Sequence, residues 1–112
     1  MKNAVIYTRI STKNNILNIV DEQMLKCLKF ALSNDYSILT IFHDVGKTGT
    51  DLRREGLQEL LKFCADMKNG INVVIVYSLD RLSTSEDDYR YILEPYFKEH
   101  NIKLISIKDQ LV

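Results

Sequence analysis

The 112-residue chain lacks several features that would assign it to a common class of protein. It has no net charge, with 15 basic and 15 acidic residues, so its overall field gives no support for tight non-specific binding to nucleic acid. No apolar run approaches the roughly 20 residues of a membrane-spanning helix, and the start, MKNAVIYTRIS, lacks the apolar core of a signal peptide. These absences argue against a membrane or secreted protein and favour a cytoplasmic one.

Patterns for metal and nucleotide binding are also missing. Cys27 and Cys64 lie far apart inside helical apolar patterns, which suits reduced core thiols better than a disulfide or a metal site. His43 and His100 have no suitably spaced Cys, Asp or Glu partners, so no metal site is predicted. Neither GxGxxG nor GxxxxGK[ST], the loops that cradle nucleotide phosphates, occurs in the sequence.

The length and composition are those of one globular domain. Four short apolar runs, partly β-branched, predict buried strands at residues 4–10, 36–43, 73–77 and 102–107. Apolar residues at spacings of three and four predict amphipathic helices over residues 24–32, 57–67 and 89–97. The order β-α-β-α-β-α-β, with continuous apolar strands, predicts a three-layer α/β fold with a mostly parallel central sheet and helices on both faces.

Several residues predict where the helices begin, end or bend. The second apolar face includes Met67, and that helix should stop at Asn69-Gly70, where glycine supplies a left-handed cap. Ser85, with Asp88 three positions later, resembles a capping box at the start of the third helix. Pro95 falls inside the third helical pattern and should kink the helix or shift its path.

In parallel sheets, ligands bind beyond the carboxyl ends of the strands, which here means residues 9–11, 44–54 and 78–81. These segments offer a candidate hydroxyl nucleophile together with cations and carboxylates: Ser11; Arg9, Lys47, Arg53, Arg54 and Arg81; Asp44 and Asp80. A serine among guanidinium groups suits attack on a phosphodiester, because forked donors neutralise charge on phosphoryl oxygens. The pattern therefore indicates phosphoryl transfer, although each residue taken singly also has a purely structural explanation.

At these strand ends the sequence resembles the catalytic domain of the serine recombinases, the family of resolvases, invertases and large serine integrases. Residues 7–11 (YTRIS) are similar to the family's Y-x-R-[VI]-S motif. Residues 44–50 (DVGKTGT), followed by 54–57 (REGL), are similar to D-x-G-x-S-G-T with R-P-G-L, and residues 79–83 (LDRLS) match L-D-R-L-S. The three motifs occur in the family's order and spacing across nearly the whole chain.

The resemblance implies an activity and a role for each matching residue. Ser11 would be the nucleophile that displaces a DNA 3′-hydroxyl and leaves a 5′-phosphoserine bond. Arg9 and Arg81 would bind the scissile phosphate, and Arg54 would complete the charge around it. Asp80 would orient an arginine or handle the proton of the leaving hydroxyl. The supporting residues would be Tyr7, Asp44, Thr48 in place of the family's serine, and Gln23, which falls where the family has a glutamine opening its first helix.

The resemblance also implies partners and a domain organisation. The substrate would be DNA at a specific site of a mobile element, recombined by a homodimer that pairs into a homotetramer in the synaptic complex. No metal or cofactor would be needed, since arginines take the place of the cations that many nucleases use. Residues 1–112 would form the catalytic domain, and the family's dimerisation helix and DNA-binding region would lie outside them.

One departure from the family's pattern leaves an alternative open. The family usually reads D-R-L-x-R, whereas residues 80–84 read DRLST, so Thr84 stands in place of a second arginine. Loss of a strong donor to the transition state would weaken its stabilisation by about 2–4 kcal/mol. The alternative is a catalytically degenerate recombinase-like domain that acts as an assembly or regulatory module. A small-ligand-binding α/β domain is a further reading that rests on the fold alone.

Overall fold

The described residues of the computed structural model, 2–10, 22–46 and 51–109, form alternating strands and helices. The strands are β1 (Lys2–Ile10), β2 (Tyr36–Val45), β3 (Val73–Val76) and β4 (Lys103–Ser106). The α-helices are α1 (Glu22–Ser33), α2 (Glu55–Ala65), α3 (Glu86–Asp88) and α4 (Glu94–Glu99). Two 3₁₀ turns (Met67–Asn69 and Leu79–Arg81) and one π-helical turn (Tyr89–Leu93) complete the described elements. None of the helices in these ranges has the length and hydropathy needed to cross a bilayer.

The four strands form one sheet in the order β2-β1-β3-β4, and all of their pairings are parallel. β1 lies in the interior of this sheet, and its residues Ala4, Val5, Ile6 and Tyr7 are 0% exposed. A strand that is buried on both faces needs a continuous apolar run rather than an alternating one, which is the pattern that predicted a parallel sheet. The predicted α/β fold is confirmed.

Successive side chains of β1 point into two separate cores. Val5 and Tyr7 pack with residues of α2 and of the last helical segment, among them Leu57, Leu60 and Phe97. Ala4 and Ile6 pack on the opposite face, where Cys27 and Ala31 of α1 cover the sheet. Helices therefore lie on both faces, as predicted.

The second helix is shorter than its apolar pattern predicts. α2 ends at Ala65, and the side chain of Asp66 caps the 3₁₀ turn that follows. Met67 lies in that turn and is 91% exposed, so its predicted place on the apolar face was wrong. Gly70 has the predicted left-handed conformation, with φ 60°, but it closes the 3₁₀ turn rather than α2.

The last helical segment changes its geometry in the middle. The Ser85 hydroxyl accepts the N–H of Asp88 at 3.2 Å, which confirms the predicted cap. A π-helical turn then precedes Pro95, which lies in the first turn of α4, where a missing N–H costs little. The helix thus changes type just before Pro95, where the sequence predicts a kink or a shift in path. Ile92 is 51% exposed, so it was wrongly predicted to be part of the apolar stripe; the wider turn changes the angle between successive side chains.

Both cysteines are buried free thiols, as predicted, and Cys64 makes the fold sensitive to alkali. Burial raises the pKa of Cys64 from its ordinary value of 9.0 to about 12. Above pH 9.0 the unfolded chain therefore loses a proton that the native state keeps, so stability falls as the pH rises towards 12. Urea denaturation should give a lower free energy of unfolding at about pH 10 than at about pH 8. The difference should shrink in Cys64→Ala, and an unchanged pH dependence in that variant would contradict this account.

Candidate active site

The carboxyl ends of β1, β2 and β3 meet at one edge of the sheet. Arg9 lies opposite Asp44 in the parallel register, and the N–H of Gly46 donates to the carbonyl of Ile10 at 2.7 Å. The 3₁₀ turn after β3 reaches the same place, because Arg9 Nη2 donates to the carbonyl of Asp80 at 2.8 Å. The three segments that the sequence singles out are thus brought together in the described part of the chain.

Asp44 connects the end of β2 to the start of α2. Its Oδ1 accepts the N–H of Gly56 at 2.8 Å, and its Oδ2 accepts the N–H of Leu57 at 3.0 Å and the hydroxyl of Tyr7 at 2.6 Å. The residue before the helix, Arg54, makes no side-chain cap bond. Asp44 therefore caps α2 from a neighbouring strand, where its charge also suits the positive end of the helix dipole.

Gly56 allows β2 to come this close to α2. A Cβ atom on this residue would lie 2.2 Å from the carbonyl oxygen of His43 and 2.8 Å from Asp44 Oδ2. Real side chains do not tolerate contacts this short, so any larger residue would push the helix off its cap. The glycine is needed for the close approach of the two elements.

Arg54 is a buried arginine whose donors point at protein oxygens. Its side chain is 0% exposed, and its Nε lies 2.9 Å from the Tyr7 hydroxyl and 3.5 Å from Asp44 Oδ2. Its two terminal nitrogens donate to backbone carbonyls: those of Asp51 at 2.9 Å, Arg81 at 3.0 Å and Leu82. Arg54 therefore ties the start of α2 to the 3₁₀ turn that follows β3.

Tyr7 joins the two charged groups of this cluster. Its hydroxyl donates to Asp44 and accepts from Arg54 Nε. Burial raises the pKa of Tyr7 above its usual 10.0, and the hydrogen bond to Asp44 raises it further. The hydroxyl consequently stays protonated at neutral pH, when it can act as both donor and acceptor.

The side chains of Arg9 and Arg81 each donate a hydrogen bond to the backbone carbonyl of the other residue. Arg81 Nη1 donates to the carbonyl of Arg9 at 2.8 Å, and Arg9 Nε donates to the carbonyl of Arg81 at 3.3 Å. Burial lowers the pKa of Arg9, and the charges of Arg54 and Arg81 lower it further. Arg81 Nε is buried and has no hydrogen-bond partner within the described ranges. Three guanidinium groups thus concentrate positive charge at this edge, although the whole chain is neutral.

The main chain and the side chain of Asp80 accept hydrogen bonds from different residues. Its carbonyl accepts from Arg9, whereas its carboxylate accepts from the hydroxyl of Ser78. The residue is exposed. Asp80 therefore helps to orient Arg9 through its backbone carbonyl.

Gln23, Ser11 and Thr48 are also predicted from the sequence to belong to the site. Gln23 is half-buried in the first turn of α1, and α1 covers the face of the sheet opposite Tyr7. Ser11 and Thr48 lie outside the described residues.

Two further residues at this edge are not identified by the sequence patterns above. Gly56 is one, although it belongs to the REGL segment that carries part of the resemblance. Asp109 is the other, and its carboxylate accepts the hydroxyl of Ser106 at 2.6 Å. Ser106 and Asp109 have the same three-residue spacing as Ser85 and Asp88, so the search that finds a cap at Ser85 could have found this pair.

The chain is similar to known proteins over nearly its whole length. The family model described as Resolvase, N terminal domain, matches residues 4–112. The N-terminal catalytic domain of TP901-1 integrase is 31% identical and has a TM-score of 0.84, with 98% of this chain and 80% of that chain covered. A resolvase family site-specific recombinase from Streptococcus pneumoniae is 25% identical with a TM-score of 0.81, with coverage of 99% and 75%.

A third solved structure supports the fold. The C-terminal catalytic domain of ISC1926 TnpA, an IS607-like serine recombinase, has a TM-score of 0.80 at 24% identity, with 94% of this chain and 67% of that chain covered. A comparison with curated proteins gives no match. The family model spans nearly all of the sequence, and a solved relative is more than 30% identical to this chain over most of the length of both. The chain therefore belongs to the resolvase family of serine recombinases.

Proposed function

We propose that this chain is the catalytic domain of a site-specific recombinase that cuts and rejoins DNA through a covalent bond to Ser11. The observation that carries the proposal is the convergence of Arg9, Arg54 and Arg81 where β1, β2 and β3 end. The charges of Arg54 and Arg81 add to burial in lowering the pKa of Arg9, so the site favours an anion such as a phosphodiester. Ser11 follows Arg9 by two positions and supplies a hydroxyl.

In the proposed reaction, the Ser11 oxygen attacks the phosphorus of one DNA phosphodiester and loses its proton. The bond from phosphorus to the 3′-oxygen breaks, and that oxygen takes up a proton and leaves as a hydroxyl. The 5′-phosphate stays on Ser11 as a new phosphodiester. A free 3′-hydroxyl can reverse the step and join a strand, so no water or energy-rich cofactor is consumed.

The arginines have different roles in the proposed reaction. Arg9 and Arg81 bind the scissile phosphate and stabilise the transition state, because forked donors match phosphoryl oxygens. Arg54 adds its charge from a buried position while its N–H groups hold the 3₁₀ turn. Tyr7 and Asp44 support Arg54 through the contacts described above.

The remaining assignments complete the proposed site and its assembly. The exposed carboxylate of Asp80 handles the proton of the leaving 3′-oxygen, while Gln23 and Thr48 are supporting residues. Residues 1–112 act as one catalytic domain, and DNA is the substrate. Exchange between two duplexes cuts four strands, so the working assembly is a homotetramer built from two homodimers.

The residue at position 84 favours a second candidate function. Thr84 is exposed and lines a groove of about 520 Å³ together with Asp80 and Arg90, in the place where the resemblance leads one to expect a second arginine. A site that lacks this cation would hold DNA without cutting it. In that case the domain would be catalytically degenerate and would serve assembly or regulation.

Covalent trapping tests the proposal. The protein from the complete natural reading frame is incubated with DNA that flanks its gene, denatured, and searched for a DNA adduct whose position is mapped by mass spectrometry. We expect an adduct on Ser11 that is absent in Ser11→Ala and retained in Ser33→Ala, an exposed serine at the end of α1. An adduct on another residue would overturn the assignment. An adduct that forms only in Thr84→Arg would establish the degenerate alternative.

A further inference from the structure

The 3₁₀ turn that carries Arg81 depends on a carboxylate from another part of the chain. Ser78 precedes this turn but makes no side-chain cap bond, because its hydroxyl donates to Asp80 instead. The first N–H of the turn, that of Leu79, donates to Asp109 Oδ2 at 2.9 Å. Asp109 therefore takes the place of the missing cap, 30 residues further along the chain.

Asp109 is itself held in position. The same Oδ2 accepts the Ser106 hydroxyl at 2.6 Å, and the N–H of Asp109 donates back to that hydroxyl at 3.2 Å. Ser106 is 1% exposed at the end of β4. The turn after β4 is also joined to β3, because the N–H of Ile107 donates to the carbonyl of Val76 at 3.0 Å. These hydrogen bonds fix the position of the capping oxygen, Asp109 Oδ2.

The 3₁₀ turn is consequently held from two sides. On the buried side, its carbonyls accept from Arg9 and Arg54. On the exposed side, its first N–H is held by Asp109. The hydroxyl of Ser106 and the N–H of Leu79 lower the pKa of Asp109, so its carboxylate is charged at neutral pH.

We propose that Asp109 is a positioning residue for the reaction: it fixes the turn of residues 79–81 and thereby sets where the Arg81 guanidinium lies. This inference rests on the proposed function, because it assigns to Arg81 the binding of the scissile phosphate. Loss of the Asp109 carboxylate removes the hydrogen bond that, among the described residues, holds the turn on its exposed side. A displacement of about 1 Å at a reacting group can cost on the order of 100-fold in rate.

The test compares Asp109→Ala, Asp109→Asn and the control Asp87→Ala, which removes an exposed carboxylate from α3. Asparagine keeps one oxygen that can accept both hydrogen bonds. At saturating DNA, single-turnover cleavage should fall about 10- to 100-fold in Asp109→Ala. It should stay within about 3-fold of the parent in Asp109→Asn and Asp87→Ala, while DNA affinity changes little in all three. Equal cleavage by Asp109→Ala and the parent would overturn the proposal.

A second measurement separates this proposal from the proposed function. Hydrogen exchange of the Leu79 amide and the NMR signal of Arg81 Nε are followed without DNA. Fast exchange and a shifted Arg81 signal in Asp109→Ala only would support the positioning role, even if no DNA adduct forms. An unchanged Arg81 signal in Asp109→Ala would overturn it, whatever the outcome of the trapping experiment.

Discussion

Replacing Asp44 by alanine should destabilise the fold by about 3–5 kcal/mol, because it removes one partner of a buried ion pair. Arg54 would be left with its side chain fully buried and without the carboxylate 3.5 Å away. The same change removes the acceptor of the Tyr7 hydroxyl and of two N–H groups at the start of α2. Several buried polar groups would thus lose partners together.

Urea denaturation of the parent and the variant measures this loss. Glu55→Ala is the matched control, since it removes a carboxylate from the first turn of the same helix at an exposed position. It should cost no more than about 1 kcal/mol, the size of an exposed helix-dipole effect. Asp44→Asn should fall between the two, because the amide oxygen keeps part of the cap. Similar free energies of unfolding for Asp44→Ala and Glu55→Ala would show that Asp44 is not the connection between β2 and α2.

Replacing Arg81 by alanine should lower the rate of DNA cleavage about 100- to 1,000-fold, as expected for a strong donor to the transition state. Arg81→Ala should affect the stability of the fold less than it affects the rate of cleavage. The contacts of Arg9 Nε and Arg54 Nη2 with Arg81 are made to its backbone carbonyl, which alanine retains. The hydrogen bond from Arg81 Nη1 to the carbonyl of Arg9 would be lost.

Single-turnover cleavage and thermal unfolding, measured on the same variants, separate these two effects. Arg81→Lys keeps the charge but loses the planar fork, so its rate should lie between those of the parent and Arg81→Ala. Lys62→Ala removes an exposed cation from α2 and should cleave like the parent. If Arg81→Ala cleaves at the parent's rate, the guanidinium has no part in the reaction.

The fold was largely predictable because its strands and helices carry strong local patterns. β3 is a run of β-branched residues that is buried along its whole length, and the alternation of strands with amphipathic helices indicated a parallel sheet. The errors lie where the local geometry departs from a regular α-helix, as in the π-helical turn that leaves Ile92 exposed. Asp66 starts a 3₁₀ turn, and Met67 becomes exposed although its spacing continues that of α2.

The types of residue at the strand ends were predictable, but their connections were not. Tyr7 and Asp44 are 37 positions apart, and Arg54 and Leu82 are 28 apart, so no periodic pattern relates them. The sequence likewise contains nothing to show that Asp44 caps α2 or that the N–H groups of Arg54 are directed at backbone carbonyls. These contacts depend on the register of the sheet and on the close approach that Gly56 allows.

The interior position of β1 has a consequence for protein synthesis. This strand is made before its neighbours β2 and β3, and Arg9 meets Arg81 across 72 positions of the chain. The bond from Leu79 to Asp109 forms later still. A nascent chain therefore carries its arginines for some time without the arrangement that brings them together. The charged cluster of Arg9, Arg54 and Arg81 therefore cannot form before synthesis has passed Arg81.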